Sequence, residues 1–147
     1  MEIFSIGFTQ TTAQNFFGRL KQARIDRLVD VRLNNRSQLS GFAKRDDLEY
    51  FLRELVQARY EHELLLAPAE DMLADYKQRK SIPWPEYEQR FLELMRQRAI
   101  QETLQPEAFE RSRSVLLCSE ATPEHCHRRL VIEYLAEHWP NVQAVHL

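Results

Sequence analysis

The 147-residue chain has few cysteines and glycines, and it lacks any long hydrophobic run. Because a membrane-spanning helix needs roughly 20 predominantly apolar residues, the sequence predicts no membrane segment. The N-terminal region also lacks the basic stretch and apolar core of a secretory signal. We therefore expect a cytoplasmic protein in which the two cysteines, Cys118 and Cys126, are reduced thiols rather than a disulfide.

An excess of charge of one sign is also lacking. The formal net charge is −2 at pH 7, which argues against a polybasic coat for nucleic acid but leaves room for a local basic patch. The cations are 16 arginines and only 4 lysines. A GC-rich genome produces the same bias, so only arginines in special positions point to function.

Segments of strand and helix character alternate along the chain, which is typical of an α/β fold. The predicted strands lie at residues 2–7, 27–32, 59–65, 114–118 and 142–147. The predicted helices begin after Thr11 or Thr12, after Asp46 or Asp47, near residue 69, at Pro85, near residue 106 and after Thr122. We expect a single domain over residues 1–147, a three-layer αβα sandwich whose mostly parallel sheet has about five strands.

Polar residues follow three of the predicted strands at the points where the strands end. One strand runs into Gly7-Phe8-Thr9, another into Asp30-Val31-Arg32 and a third into Cys118-Ser119-Glu120. The carboxyl ends of parallel strands meet at one edge of a sheet, where such folds bind ligands. Since apolar strands need no charge at their ends, this convergence predicts a polar site at that edge.

The densest chemical signal is the segment from Cys118 to Arg128, which contains a strand end, a turn and a helix start. Cys126, His127 and Arg128 are predicted in the first turns of that helix. A thiol near a helix N-terminus and a cation has a lowered pKa and is a better nucleophile. The same place suits a phosphate or carboxylate, with Arg128 as a clamp. Alternatively, both thiols are buried packing residues, and the acids at the strand ends only cap or form ion pairs.

Metal and cofactor chemistry has weaker support. Thiolate and imidazole ligands for zinc could come from Cys118, Cys126, His127, His125 or His62. Their spacing matches no standard zinc pattern, so we predict no metal. The sequence also lacks a P-loop, a dinucleotide-binding glycine motif, a serine nucleophile elbow and a cysteine phosphatase loop, and no cofactor is predicted.

An aromatic group between residues 76 and 91 has two interpretations. Tyr76, Trp84, Tyr87 and Phe91 either line a cleft, where aromatic rings can stack on bases, or belong to the core. Their helical spacing favours the core.

Several motifs together resemble the family named Domain of Unknown Function 488. They are Ser-Ile-Gly near the N-terminus, Leu-Val-Asp-Val-Arg-Leu-Asn-Asn-Arg-Ser, Gly-Phe-Ala-Lys, Leu-Ala-Pro and Leu-Leu-Cys-Ser-Glu-Ala-Thr-Pro-Glu-His-Cys-His-Arg. The likeness covers nearly the whole chain and implies a three-layer α/β fold, but the family has no established activity. In one departure, Phe8 and Thr9 stand where the family usually has His and Ser. If that His were catalytic, this protein would be impaired or altered.

The resemblance adds candidates to those at the strand ends. Its motif positions fall on Gly7, Asp30, Arg32, Arg36, Ser37, Phe42, Lys44, Cys118, Glu120, Cys126, His127 and Arg128. We predict as catalytic residues Asp30, Cys118, Glu120, Cys126 and His127. We predict as substrate-binding residues Gly7, Thr9, Arg32, Arg36, Ser37, Lys44 and Arg128.

Three functional hypotheses follow from these residues. The first is an enzyme or ligand-binding domain for a phosphorylated or nucleotide-like anionic substrate. In it a cysteine is the nucleophile or redox group, and Glu120 or His127 is the acid or base. The second is a nucleic-acid-binding module that uses the loop at residues 33–45. The third is a non-catalytic protein-interaction domain in which the polar cluster is structural.

Overall fold

The computed structural model describes residues 1–36 and 41–147 and contains a five-stranded sheet. Its strands are β1 (Glu2–Gly7), β2 (Arg27–Asp30), β3 (Arg59–His62), β4 (Ser114–Cys118) and β5 (Gln143–His146). Their order across the sheet is β3-β2-β4-β1-β5, and every neighbouring pair is parallel. The predicted α/β fold with a parallel sheet is confirmed.

Helices connect the strands and cover the sheet. They are α1 (Ala13–Gln22), α2 (Arg45–Phe51), α3 (Glu70–Lys77), α4 (Trp84–Gln97), α5 (Ile100–Thr103), α6 (Pro106–Glu110) and α7 (His127–His138). A π-helical turn at Leu52–Val56 extends α2, and short 3-10 turns lie at Gly41–Ala43 and Leu64–Leu66. Within residues 1–36 and 41–147, no helix has the length and apolarity needed to cross a bilayer.

Alternation along β4 divides the core into two layers. Val115 and Leu117 pack with α1 and α2 on one face of the sheet. Leu116 and Cys118 pack with the helices from α3 to α7 on the other face. Because successive side chains of a strand point to opposite faces, Cys118 lies on the face that α7 covers. The last residue of the central strand is thereby placed beside the start of the last helix.

Two helices begin at positions that differ from the prediction. Helix α2 is preceded by Lys44 as its N-cap, and Asp46 and Asp47 lie in its first turn rather than at the cap. Acidic residues in a first turn are stabilised by the helix dipole. Asp46 and Asp47 therefore indicated the correct region for the helix start, although the cap itself is Lys44. The predicted start of the last helix after Thr122 is wrong, because Cys126 is the N-cap of α7.

Contacts outside the helix explain the late start of α7. The Thr9 hydroxyl donates a hydrogen bond of 2.8 Å to the Ser119 carbonyl, and the Arg128 guanidinium donates one of 2.6 Å to the Glu120 carbonyl. The chain then turns, and the Cys126 N–H contacts the Pro123 carbonyl at 3.3 Å. These tertiary bonds override the local Thr-Pro helix signal, and they place Cys126 at the helix N-terminus.

The connections of the sheet locate a crevice. From β2 the chain leads to β3 at one edge, and from β4 it leads past β1 to β5 at the other edge. Neighbouring strands β2 and β4 therefore send their connections in opposite directions. In open parallel sheets, this switch point leaves a crevice outside the carboxyl ends of the two strands.

A glycine at the end of β1 allows the β4–α7 connection to approach. A Cβ atom built on Gly7 would lie 1.6 Å from the Glu120 carbonyl oxygen and 3.1 Å from an Arg128 nitrogen. Backbone cannot move aside as a flexible side chain can, so any side chain at this position must displace the connection.

We predict that Gly7→Ala lowers the free energy of unfolding by about 3 kcal/mol, the upper end of the usual cost of overpacking. Urea denaturation measures this change. The matched control is Gly18→Ala, because Gly18 is a helical glycine whose added Cβ would meet nothing within 4 Å. The control should gain about 0.5–1 kcal/mol from helix propensity. Equal stability of Gly7→Ala and the unmodified protein would contradict the packing argument.

Candidate functional site

A cavity of about 370 Å³ opens at the carboxyl ends of β2 and β4. Its wall is built from the segment after β2, the end of β4, the start of α7 and one face of α3. Small-molecule sites usually measure roughly 300–1,000 Å³. The cavity therefore has the size of a small ligand, and it lies at the switch point of the sheet.

Three predicted catalytic residues meet on the cavity wall. The sulfur atoms of Cys118 and Cys126 and a ring nitrogen of His127 all lie within 4.8 Å of one another, and all three side chains are buried. The His127 Nε2–H donates a hydrogen bond of 2.7 Å to the Val31 carbonyl. The other ring nitrogen, Nδ1, lies 3.5 Å from Cys118 Sγ, and Nε2 lies 3.9 Å from the same sulfur. These side chains are also the residue types that can hold a soft or borderline metal ion.

The two thiols differ in their tendency to ionise. The hydrogen bond to Cys126, together with burial, raises the pKa of the Cys118 thiol well above its ordinary value. Burial also opposes ionisation of Cys126. Hydrogen bonds from Cys118 and His127 and the charges of His127 and Arg128 outweigh it, so that the pKa of Cys126 lies well below its ordinary value. Cys126 is therefore the thiol of the pair that ionises more readily.

Arg128 lies behind this pair rather than in the cavity. Its side chain is fully buried, and it donates hydrogen bonds to Ser5 Oγ at 3.2 Å and to the Glu120 carbonyl at 2.6 Å. Among the described residues, no carboxylate lies within 4.0 Å of its guanidinium. A buried charge without a partner is costly, and the neighbouring thiolate relieves that cost. Arg128 was predicted as a ligand clamp, but the structure places it where it fixes the connection and supplies charge to the thiols.

Arg32 reaches the cavity wall with its orientation fixed. Its Nε and Nη2 donate to the two carboxylate oxygens of Asp30 at 2.9 and 2.8 Å, and Nη2 also donates to the Ala43 carbonyl at 2.7 Å. The guanidinium lies over the Phe8 ring, 5.0 Å from its centroid. Only 3% of Arg32 is exposed, yet Nη1 has no hydrogen-bond partner in the described structure.

Asp30 was predicted to be catalytic, and the structure gives it a positioning role. Its carboxylate is fully buried and does not line the cavity. Besides Arg32, it accepts a hydrogen bond of 2.6 Å from the Tyr60 hydroxyl. Burial and this hydrogen bond raise the pKa of Tyr60 above its ordinary value, so the hydroxyl remains a donor. Asp30 thus fixes the orientation of Arg32 from the side that faces away from the cavity.

A second group of polar residues supports the backbone of Arg32. The His62 Nε2–H donates to the Arg32 carbonyl at 2.7 Å. The Asn35 side-chain amide donates to His62 Nδ1 at 3.1 Å and to the Tyr60 hydroxyl at 3.0 Å. Sequence reasoning missed the roles of Asn35 and Tyr60. Asn35 falls within a motif that was read as a loop, and nothing in the pattern of β3 marked Tyr60 as polar support.

The cavity rim carries an ion pair between distant segments. Glu120, predicted as catalytic, pairs with Lys77 of α3, and both side chains are partly exposed. Lys77 was not predicted as a site residue, and the neighbouring Tyr76 was considered only as a member of the aromatic group. Both line the cavity. Glu120 therefore lies at the mouth of the cavity, whereas the thiols lie at its inner wall.

Of the remaining predicted binding residues, those that the structure describes do not line the cavity. Gly7 and Thr9 shape the connection after β4, as described above. Arg36 is exposed, and Lys44 is the half-buried N-cap of α2. Ser37 lies outside the described residues.

The aromatic group is divided between cavity and core. Tyr76 and Tyr87 line the cavity, and Trp84 stacks on the His125 ring with centroids 5.0 Å apart. Phe91 is fully buried, with its ring 5.2 Å from that of His127. Both interpretations of the sequence pattern are therefore correct in part.

The fold and the site define a three-layer α/β protein with a cysteine–histidine cluster at the carboxyl edge of a parallel sheet. Residues 12–135 match the family described as Domain of unknown function DUF488, so the chain belongs to this family and the resemblance is confirmed. No curated protein and no solved structure matches the chain. The family description names no reaction, so function has to be inferred from the site.

We predict that Asp30→Asn lowers the free energy of unfolding by about 3–5 kcal/mol, because it leaves the buried charge of Arg32 without its partner. Thermal or urea unfolding measures the loss. The control is Glu54→Gln, which breaks an exposed pair with Arg53 and should cost less than about 1 kcal/mol. A loss in Asp30→Asn no larger than in the control would show that the pair does not hold this part of the fold.

Proposed function

We propose that the protein is a small enzyme or ligand-binding domain that takes an anionic ligand, phosphorylated or nucleotide-like, into the cavity at the carboxyl ends of β2 and β4. The observation that supports this most directly is the free Nη1 of Arg32. Arg32 is only 3% exposed and lines the cavity, and the other donors of its guanidinium have partners. Buried donors normally have a partner, and a ligand oxygen would supply one.

The setting of Arg32 suits an oxyanion. A guanidinium binds phosphate and carboxylate oxygens through directed, charge-assisted hydrogen bonds. Asp30 and the Ala43 carbonyl already fix the side chain, so binding does not have to order it. Asp30 also balances the charge of Arg32, so the contribution of Arg32 is mainly a directed hydrogen bond.

Two further features attract negative charge to the same cavity. Lys77 lies at the rim in an exposed pair with Glu120, and a ligand oxyanion can take the place of the glutamate at little cost because exposed pairs are weak. The N-terminus of α7, a 12-residue helix, points its dipole at the cavity wall. A ligand held by Arg32 lies beside the cysteine–histidine cluster.

The cluster gives the domain its possible chemistry. In the enzyme form of the proposal, a cysteine thiol is the nucleophile or redox group, and His127 or Glu120 transfers protons. The cytoplasmic location stays a prediction from the sequence. The nucleic-acid and protein-interaction hypotheses also stay predictions. The experiment below separates the anion-binding hypothesis from the nucleic-acid hypothesis.

We predict that inorganic phosphate, pyrophosphate or adenosine monophosphate binds to the protein and that Arg32→Lys weakens this binding about tenfold or more. Lysine keeps the charge beside Asp30. Its three N–H donors would all be used in reproducing the three hydrogen bonds of Arg32 to Asp30 and Ala43, so none would be left for a ligand. A hydrogen bond to a charged group contributes roughly 1.5–3 kcal/mol, which sets the expected loss. Isothermal titration calorimetry at constant ionic strength measures it.

Arg36→Lys is the matched control, because Arg36 is exposed and does not line the cavity. Its affinity for the three anions should equal that of the unmodified protein. Failure of all three anions to bind, or equal binding by Arg32→Lys, contradicts the proposal. Tight binding of a single-stranded oligonucleotide that falls steeply with salt and is weakened by Arg36→Lys would instead favour the nucleic-acid module.

A further inference from the structure

We propose that Cys118, Cys126 and His127 bind a divalent transition metal ion, with Zn²⁺ as the best match to their donor atoms. The proposal does not depend on the anionic ligand, and it departs from the prediction of no metal that the sequence spacing gave. The basis is spatial: β4 ends at one cysteine, α7 begins at the other, and the histidine follows directly. Their three donor atoms lie within 4.8 Å of one another.

The separation of sulfur and nitrogen fits a tetrahedral ion. Zinc lies about 2.3 Å from thiolate sulfur and about 2.0–2.1 Å from imidazole nitrogen, so a tetrahedral site separates the two donors by about 3.5 Å. The distance from Cys118 Sγ to His127 Nδ1 is 3.5 Å. Because Cys118 Sγ also lies 3.9 Å from Nε2, it lies beside the ring rather than in line with the Nδ1 lone pair, and an ion can enter after a rotation of the Cys118 or His127 side chain while the backbone stays in place.

The histidine is oriented as a metal ligand would be. Metal-binding histidines usually donate their second ring N–H to a carboxylate or a backbone carbonyl, which fixes the tautomer and the ring plane. The His127 Nε2–H does this with the Val31 carbonyl at 2.7 Å. Nδ1 is left as the ring nitrogen available for an ion, and it is the nearer of the two nitrogens to Cys118 Sγ, at 3.5 Å against 3.9 Å for Nε2.

The local charge favours thiolates at this position. Two buried thiolates need positive charge nearby, and the Arg128 guanidinium, two residues after Cys126, is fully buried with no carboxylate within 4.0 Å among the described residues. Two thiolates and one divalent ion are together neutral. The ion and its two thiolate ligands therefore add no net charge to the interior beyond that of Arg128.

The other histidines considered from the sequence lie outside the cluster of three donor atoms. His125 lines the cavity with its ring stacked on Trp84, and both ring nitrogens of His62 have partners, the Arg32 carbonyl and Asn35. The ion would thus have three protein ligands and a fourth position open to the cavity. That pattern is characteristic of catalytic rather than structural zinc sites.

Cobalt(II) is a spectroscopic probe for this site. The reduced full-length chain, stripped with a chelator, should bind one Co²⁺, with thiolate-to-cobalt charge-transfer absorption and the strong visible bands of four-coordinate cobalt. One equivalent of Zn²⁺ should abolish these bands. A weak six-coordinate spectrum without thiolate absorption, or no uptake of Co²⁺ by the fully reduced protein, would overturn the proposal.

Substitutions then assign the ligands. Cys118→Ser, Cys126→Ser and His127→Gln should each weaken Co²⁺ binding by more than the roughly 10–100-fold that loss of an outer-shell partner causes. His138→Gln is the matched control, because His138 is exposed at the far end of α7. Unchanged affinity in any of the three ligand variants would contradict the assignment. If a variant does not fold, the spectrum of the unmodified protein still decides.

Arg32→Lys separates this proposal from the proposed function. It should retain one Co²⁺ with unchanged affinity while losing phosphate affinity. Loss of both together would show that the metal and the anion do not bind independently, and would overturn this part of the inference.

Discussion

The arrangement of the site depends on a buried guanidinium that has no carboxylate partner within residues 1–36 and 41–147. Arg128 connects the interior of β1, through Ser5, to the Glu120 carbonyl after β4. It reaches both because α7 begins one residue before it, at His127, and because Gly7 leaves no side chain in the way. One charged side chain thus ties a strand, a connection and a helix together directly behind the two cysteines.

The two buried arginines of the site differ in what they offer. Arg32 is neutralised by Asp30 and held at four contacts, and one of its nitrogens has no partner in the described structure. Arg128 is held only by neutral oxygens, so its charge remains available to the thiols. The first supplies a directed hydrogen bond, and the second supplies electrostatic stabilisation. Neither role follows from the residue type alone, because each depends on whether a carboxylate lies within reach.

Local patterns were sufficient to predict the sheet. The bounds of β1 and β4 agree with the predicted ranges because both are short apolar runs buried on their two faces. The convergence of Arg32, Cys118, Cys126 and His127 was also predictable, since parallel strands bring their carboxyl ends to one edge. These residues do line a common cavity.

The positions that failed are those where tertiary contacts outweigh local signals. Thr122 and Pro123 have the residue types of a helix start, but hydrogen bonds to the Ser119 and Glu120 carbonyls delay α7 to His127. Lys77 comes from α3, and no pattern in that helix tells which residue meets the sheet edge. The metal-ligand spacing in the sequence was likewise uninformative, because the donors converge through a strand end and a helix start rather than through a short loop.

The departure from the family pattern at Phe8 can now be placed. Phe8 is fully buried, belongs to the core layer of α1 and α2, and does not line the cavity. Its contact with the site is indirect, through the Arg32 guanidinium above its ring. A ring face attracts a cation without accepting a proton. The phenylalanine therefore supports Arg32, while the cysteine–histidine cluster lies on the opposite face of the sheet. The departure from the family pattern alters the support of the ligand-binding arginine and removes no group from the cavity wall.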